Sequence, residues 1–180
     1  LEALKRLGLD RVWWLVSPGN PLKPNPPAPM ADRIARARLV MDHPKVVVAD
    51  IEARLGTRYT AETLKRLMAL YPGVRFVWLM GADNLAGMHR WKDWQQIFHL
   101  VPIAVFDRPT YTYRALAALA ARRFACFRAR EQAARTLVTS QPPAWTFVHH
   151  RLNPISATEI RLKRLWGAAG SRAAKPATPR

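Results

Sequence analysis

Several short stretches bring together residue types suited to an anionic, ring-bearing ligand. In Met80-Gly81-Ala82-Asp83-Asn84 an apolar run ends on a glycine, and a carboxylate and an amide follow at once. His89-Arg90-Trp91-Lys92-Asp93-Trp94 then adds two indoles. In a parallel α/β sheet, ligands lie just beyond the carboxyl ends of the strands, and a strand delivering Gly, Asp, Asn and an aromatic face is built like such a site. A plain strand, turn and helix with core tryptophans is written in the same letters. Thr60 reads as a helix N-cap, with Glu62 in the first turn where the helix dipole favours a carboxylate. The free amides of such a start can equally hold an anion. Arg108, in Asp107-Arg108-Pro109, follows another apolar run and reaches the same sheet edge. In Ile155-Ser156-Ala157-Thr158-Glu159-Ile160-Arg161 a capping box of Ser156 and Glu159 starts a helix. Ser156, Thr158 and Arg161 would cluster at its positive end, as a cradle for phosphate oxygens or as an ordinary capped surface. Asn20 and Lys23, just past a strand end, could meet a phosphate.

Other chemistries are poorly served. The one cysteine, Cys126, excludes an internal disulfide framework and a cysteine-rich zinc site. His149 and His150 are adjacent on a strand and point to opposite faces, which disfavours a shared metal.

The elements that must carry these residues alternate. Apolar runs at Arg11–Val16, Lys45–Asp50, Arg75–Met80, Val101–Phe106 and Ala144–Val148 read as strands. Helical spacing covers Met30–Met41, Thr60–Tyr71 and Asp93–Leu100, and Thr112–Arg135 reads as one long or two short helices. Ile51–Gly56 reads as a polar loop. Five prolines between Pro21 and Pro29 forbid helix or central strand there. Strands alternating with helices predict a doubly wound parallel α/β sheet, with one domain over residues 1–166 and a disordered basic tail over 167–180. Leu1–Gly8 reads as the end of an amphipathic helix, so a segment upstream is expected.

The chain of 180 residues has 29 Lys and Arg against 12 Asp and Glu, a formal charge of +17. That favours anionic partners, polyphosphate nucleotides or nucleic acid. No apolar run approaches the roughly 20 residues that span a bilayer, and with a single cysteine the composition reads as cytoplasmic.

Taken in order, Ser17-Pro18-Gly19-Asn20-Pro21-Leu22-Lys23, Tyr59–Leu64, Met80–Leu85, Trp91, Asp107–Pro109 and Ile155–Arg161 resemble the bacterial nicotinate-mononucleotide adenylyltransferases of the nucleotidylyltransferase superfamily, over roughly residues 1–165. The resemblance implies a Rossmann-like fold and adenylyl transfer from ATP, with Mg2+ as divalent cation, to nicotinate mononucleotide, giving deamido-NAD and pyrophosphate. It implies that the Thr60–Ala61 helix start holds the nicotinate carboxylate and that Trp91 stacks on the pyridine ring. Asp83 would contact ribose or nucleotide, with Arg108 beside the same pocket, and Ser156, Thr158 and Arg161 would bind ATP phosphates. The family's Gly-x-Phe-x-Pro-x-His-x-Gly-His loop is absent. None of the five histidines stands in a His-x-Gly-His arrangement, so no catalytic residue is assigned and little or no activity of the chain as given is expected. The strand before that loop is central in the family fold, so the chain should show unpaired apolar edges. An acceptor such as nicotinamide mononucleotide or phosphopantetheine, and a nucleic-acid-binding role, are the alternatives. A flat, carboxylated acceptor suits Trp91 and the Thr60 helix start better, and no nucleic-acid module is present.

Overall fold

In the computed structural model, residues 1–19 and 27–150 are described. The five strands expected from apolar runs all form: β1 (Val12–Leu15), β2 (Val46–Ala49), β3 (Trp78–Gly81), β4 (Ile103–Phe106) and β6 (Trp145–Val148). A further two-residue strand, β5 (Arg128–Ala129), lies between β4 and β6 in the chain. Every pairing is parallel. Parallel neighbours need crossovers, and the helices supply them. They are α1 (Glu2–Leu7), α2 (Met30–Val40), α3 (Ile51–Leu55), α4 (Thr60–Leu70), α5 (Ala82–Gly87), α6 (Trp94–Leu100), α7 (Thr112–Leu116) and α8 (Leu119–Arg123).

Among the described residues the strands make two ladders, β1-β2 and β3-β4-β6-β5. β1 and β3 are therefore paired on one edge each. The start of β1 nevertheless lies near the start of β3, with Trp13 packed edge-on against Phe76 at 5.8 Å. The four-stranded ladder is covered on both faces. On one side α4, α5, α6 and α7 contribute Leu64, Leu85, Phe98 and Ala115, joined by Phe124 just past α8, to a core with Met80, Ile103, Val105 and Phe147. On the other, Leu7 of α1 and Leu137 of a 3-10 segment (Glu131–Thr139) pack on Ala104. Strands buried on both faces read as continuous apolar runs, and β6 is buried along its whole length.

Three local expectations are corrected. Ile51–Leu55 is a helical turn closed by Gly56 at φ 63°, a left-handed position that glycine adopts without strain. Thr112–Arg135 breaks into α7, α8, 3-10 turns and β5. Thr60 is the first helical residue of α4. Tyr59 holds the N-cap position with extended φ −119° and ψ 137°, and no side chain caps this helix. The cap is displaced because Thr63, one turn on, bonds the Tyr59 carbonyl through both its amide (3.0 Å) and its hydroxyl (3.2 Å).

Candidate functional site

The register of β3 on β4 brings two sequence-distant groups together. Gly81 pairs with Phe106, so Asp83 and Arg108 each lie two residues beyond a matched strand end. Arg108 Nε sits 3.1 Å from Asp83 Oδ1. That oxygen is buried and has no hydrogen-bond partner, so the pair is a close approach of charges without hydrogen-bond alignment. Gly81 lies beneath it. A Cβ there would stand 2.6 Å from Arg108 Nε and closer still to Asp83 Oδ1. The glycine at the strand end leaves room for the pair that passes over it.

Arg108 is exposed, and the turn that presents it is fixed by its neighbour. Buried Asp107 accepts hydrogen bonds from the Arg108 amide (2.8 Å) and the Thr112 hydroxyl (2.7 Å). His150 Nε2 lies 3.1 Å from the Asp107 carbonyl oxygen, which ties the β6 exit to the β4 exit. His149 turns away, its Nδ1 2.7 Å from Glu131 Oε2, while the other Glu131 oxygen meets Arg6 of α1. The two histidines anchor β6 to different elements and do not converge. Among the described residues no group of three or more His, Cys, Asp or Glu could hold a metal ion.

The α4 start lies against the same core. Ala61 is fully buried and clusters with Ala82, Leu85 and Met88, and Trp91 packs against that cluster. Because Thr63 makes the first helical hydrogen bond, the amides of Thr60, Ala61 and Glu62 have no acceptor within the helix. Trp91 ends a 3-10 turn (Met88–Arg90), its amide bonded to the Met88 carbonyl at 2.9 Å. The next residue crosses to α4. Lys92 Nζ is 3.5 Å from Glu62 Oε1 and 4.5 Å from the centre of the Tyr59 ring. Sequence reading did not single out Lys92. Its signal was position, since it follows Trp91 and faces the acidic residue in the first turn of α4. Trp94 is partly buried and packs against the core, edge-on to Phe98 and Phe124.

The structure therefore brings Asp83 and Arg108 together, and sets Ala61 and Trp91 around one cluster. Asn20, Lys23, Ser156, Thr158 and Arg161 lie outside the described residues, as does the 167–180 tail. In chemical terms, the described part offers a helix start able to accept an anion, a partly exposed indole face, and a carboxylate–guanidinium pair at a strand exit.

Comparison with known proteins agrees with this fold. The cytidylyltransferase-like family matches residues 1–163. A probable nicotinate-nucleotide adenylyltransferase from Cereibacter sphaeroides is 60% identical over 92% of this chain and 88% of its own length. Proteins of the same name from Ruegeria pomeroyi and Methylorubrum extorquens are 54% and 48% identical, over 93% and 89% of this chain and 79% and 88% of theirs. Among solved structures, Plasmodium falciparum nicotinic acid mononucleotide adenylyltransferase complexed with NaAD superposes with a TM-score of 0.61 at 14% identity, covering 86% of this chain and 69% of that one. At that identity the superposition speaks for the fold alone. With the family matched over nearly the whole chain and relatives at 48–60% identity, the chain belongs to the cytidylyltransferase-like family and, within it, to the nicotinate-nucleotide adenylyltransferases.

Proposed function

We propose that this protein joins ATP and nicotinate mononucleotide into deamido-NAD, a step of NAD biosynthesis. The observation that carries the reading is the 60% identity, over 92% of the chain, to a relative bearing that activity's name. In the transfer a phosphate oxygen of the mononucleotide attacks the α-phosphorus of ATP. The bond to the bridging oxygen breaks, and pyrophosphate leaves with the electron pair. Such a reaction asks the protein mainly to position and to stabilise charge.

The chain's residues take the following parts in this reading. The amides of Thr60 and Ala61 hold the nicotinate carboxylate, supported by the absence of helical partners for them. Ala61 contributes backbone only, since its side chain is buried in the core. Trp91 offers its face to the pyridine ring. Asp83 accepts from ribose hydroxyls at the β3 exit, where its side chain is partly exposed, and Arg108 orients it and adds positive charge. Asn20 and Lys23 meet substrate phosphate, and Ser156, Thr158 and Arg161 bind the phosphates of ATP. Mg2+ would enter with the nucleotide as MgATP and would supply charge neutralisation at the phosphates. The formal charge of +17 favours encounter with both anionic substrates. No helix among the described residues is long and apolar enough to cross a membrane, and we place the reaction in the cytoplasm.

Calorimetric titration tests the acceptor assignment. Nicotinate mononucleotide should bind at least about tenfold more tightly than nicotinamide mononucleotide, because only the former brings a carboxylate to α4. Pyrophosphate released from ATP should follow the same preference. Equal affinity for the two mononucleotides would sink the acceptor reading.

A further inference from the structure

Five polar or charged side chains are buried among the described residues, and three of them, Glu52, Thr57 and Thr63, form one thread. It begins in α3, at Glu52. The Glu52 backbone carbonyl, in α3, accepts the Thr57 amide at 2.9 Å. Thr57 Oγ1 lies 2.8 Å from Thr63 Oγ1, and Thr63 Oγ1 donates to the Tyr59 carbonyl at 3.2 Å. Thr57 Oγ1 also lies 3.4 Å from the Glu52 carbonyl oxygen, a second acceptor for its proton. The two hydroxyls share two protons among three contacts, which holds the pair between the Glu52 and Tyr59 carbonyls.

Packing alone does not call for these hydroxyls. Thr57 and Thr63 are 4% and 0% exposed, and valine has nearly the shape of threonine without a polar atom to satisfy. Buried polar networks of this kind serve to specify one geometry rather than to add much stability. The geometry specified here is the turn at Tyr59, where the chain passes from extended backbone into α4. The direction of that turn decides where the amides of Thr60 and Ala61 point.

We propose that Thr63 is a positioning residue for the acceptor's carboxylate. Its hydroxyl, locked between Thr57 and the Tyr59 carbonyl, holds the α4 start at the angle from which its amides meet the anion. Thr57 supports it from the α3 side. This inference rests on the reading of the α4 start as the carboxylate site and adds a determinant of acceptor choice that touches no substrate.

The test compares Thr63→Val and Thr63→Ser in the full chain, by calorimetric titration with nicotinate mononucleotide, nicotinamide mononucleotide and ATP. Thr63→Val should weaken nicotinate mononucleotide about three- to tenfold, the scale of one hydrogen bond. Nicotinamide mononucleotide and ATP should change by less than about twofold, and Thr63→Ser, which keeps the hydroxyl, should retain the original affinity. Thr57→Val removes only the supporting hydroxyl. It should shift affinity the same way by less, and it provides the measurement if Thr63→Val does not fold. A parallel loss for both mononucleotides would reveal a general structural role and overturn the proposal, as would unchanged affinity in both valine variants. If the unaltered chain itself does not distinguish the two mononucleotides, the α4 reading fails first and this one with it.

Discussion

Replacing Gly81 by alanine separates function from stability in a way the geometry allows to be worked out. Gly81 has φ −83° and ψ 158°, ordinary extended values that alanine adopts without strain. Relief of unfolded-state entropy should add about 0.4–1 kcal/mol of stability. Against this, the new methyl would sit 2.6 Å from Arg108 Nε and 3.4 Å from its Cδ. Comfortable contact is about 3.5–4 Å, so the guanidinium must move by roughly 1 Å. Asp83 must move with it. Both side chains are flexible and at least partly exposed, at 53% and 37%, and an ion pair so screened is worth at most about 1 kcal/mol. The two contributions nearly cancel. For a chain of this size the melting temperature should shift by no more than about 4 °C. Misplacing groups that contact substrate by about 1 Å costs up to about a hundredfold. Thermal unfolding and titration with nicotinate mononucleotide would be measured side by side, with affinity expected to fall by more than about tenfold at nearly constant melting temperature. Unchanged affinity would remove Asp83 and Arg108 from the site. A melting temperature lowered by more than about 10 °C would refute the claim that the crowding is cheap.

Two further outcomes follow from the same geometry. Trp91→Ala should weaken binding of the mononucleotide by the value of one stacked ring, about 1–3 kcal/mol, whereas Trp91→Phe should keep most of it. Fluorescence-independent calorimetry reads both, and equal losses in the two variants would argue against stacking. Glu52 gives a pH signature. Desolvation by burial raises its pKa above the ordinary 4.5, and the Ser17 hydrogen bond opposes this more weakly. The folded state therefore keeps its proton to higher pH than the unfolded state, and the contribution of Glu52 to stability falls as pH rises through that window. Glu52→Gln removes the titration, so urea midpoints from about pH 4 to about pH 7 should move steadily in favour of the variant. A trend in favour of the parent would mean that the ionised carboxylate is the stabilised form.

The parts of this fold that were legible in sequence are those written as burial. Val12–Leu15, Val46–Ala49, Ile103–Phe106 and Trp145–Val148 are apolar runs bounded by breakers, and each is a strand. β5 was not legible, because Arg128 and Ala129 make two ladder positions with no apolar pattern. α3 was missed because five residues are too few for a helical period to show. At the candidate site the residue types at strand exits were legible, since Gly81, Asp83 and Arg108 each follow an apolar run. Their pairing was not. It depends on Gly81 standing opposite Phe106, and register is a property of two strands, visible in neither alone. The Thr60 position illustrates the same limit at shorter range. Composition marked a helix start correctly, but the hydrogen bonds of Thr63 to Tyr59 moved the boundary by one residue.

The division of the strands into two ladders has a dynamic consequence. β4 and β6 are buried on both faces, while β1 and β2 are only partly covered, with Trp14 and Val47 reaching solvent. With no ladder bond joining them among the described residues, the two sheets need not open as one cooperative unit. On burial alone, the β1-β2 pair, α3 and the turn into α4 should open at lower free energy than the four-stranded ladder with Asp83 and Arg108, which hydrogen exchange would read. An acceptor held at once by the α4 amides and by the β3 exit would bridge the two. Its binding free energy would then be spent partly on joining separately opening halves, so the bound chain should breathe less than the free one even where no ligand atom touches it.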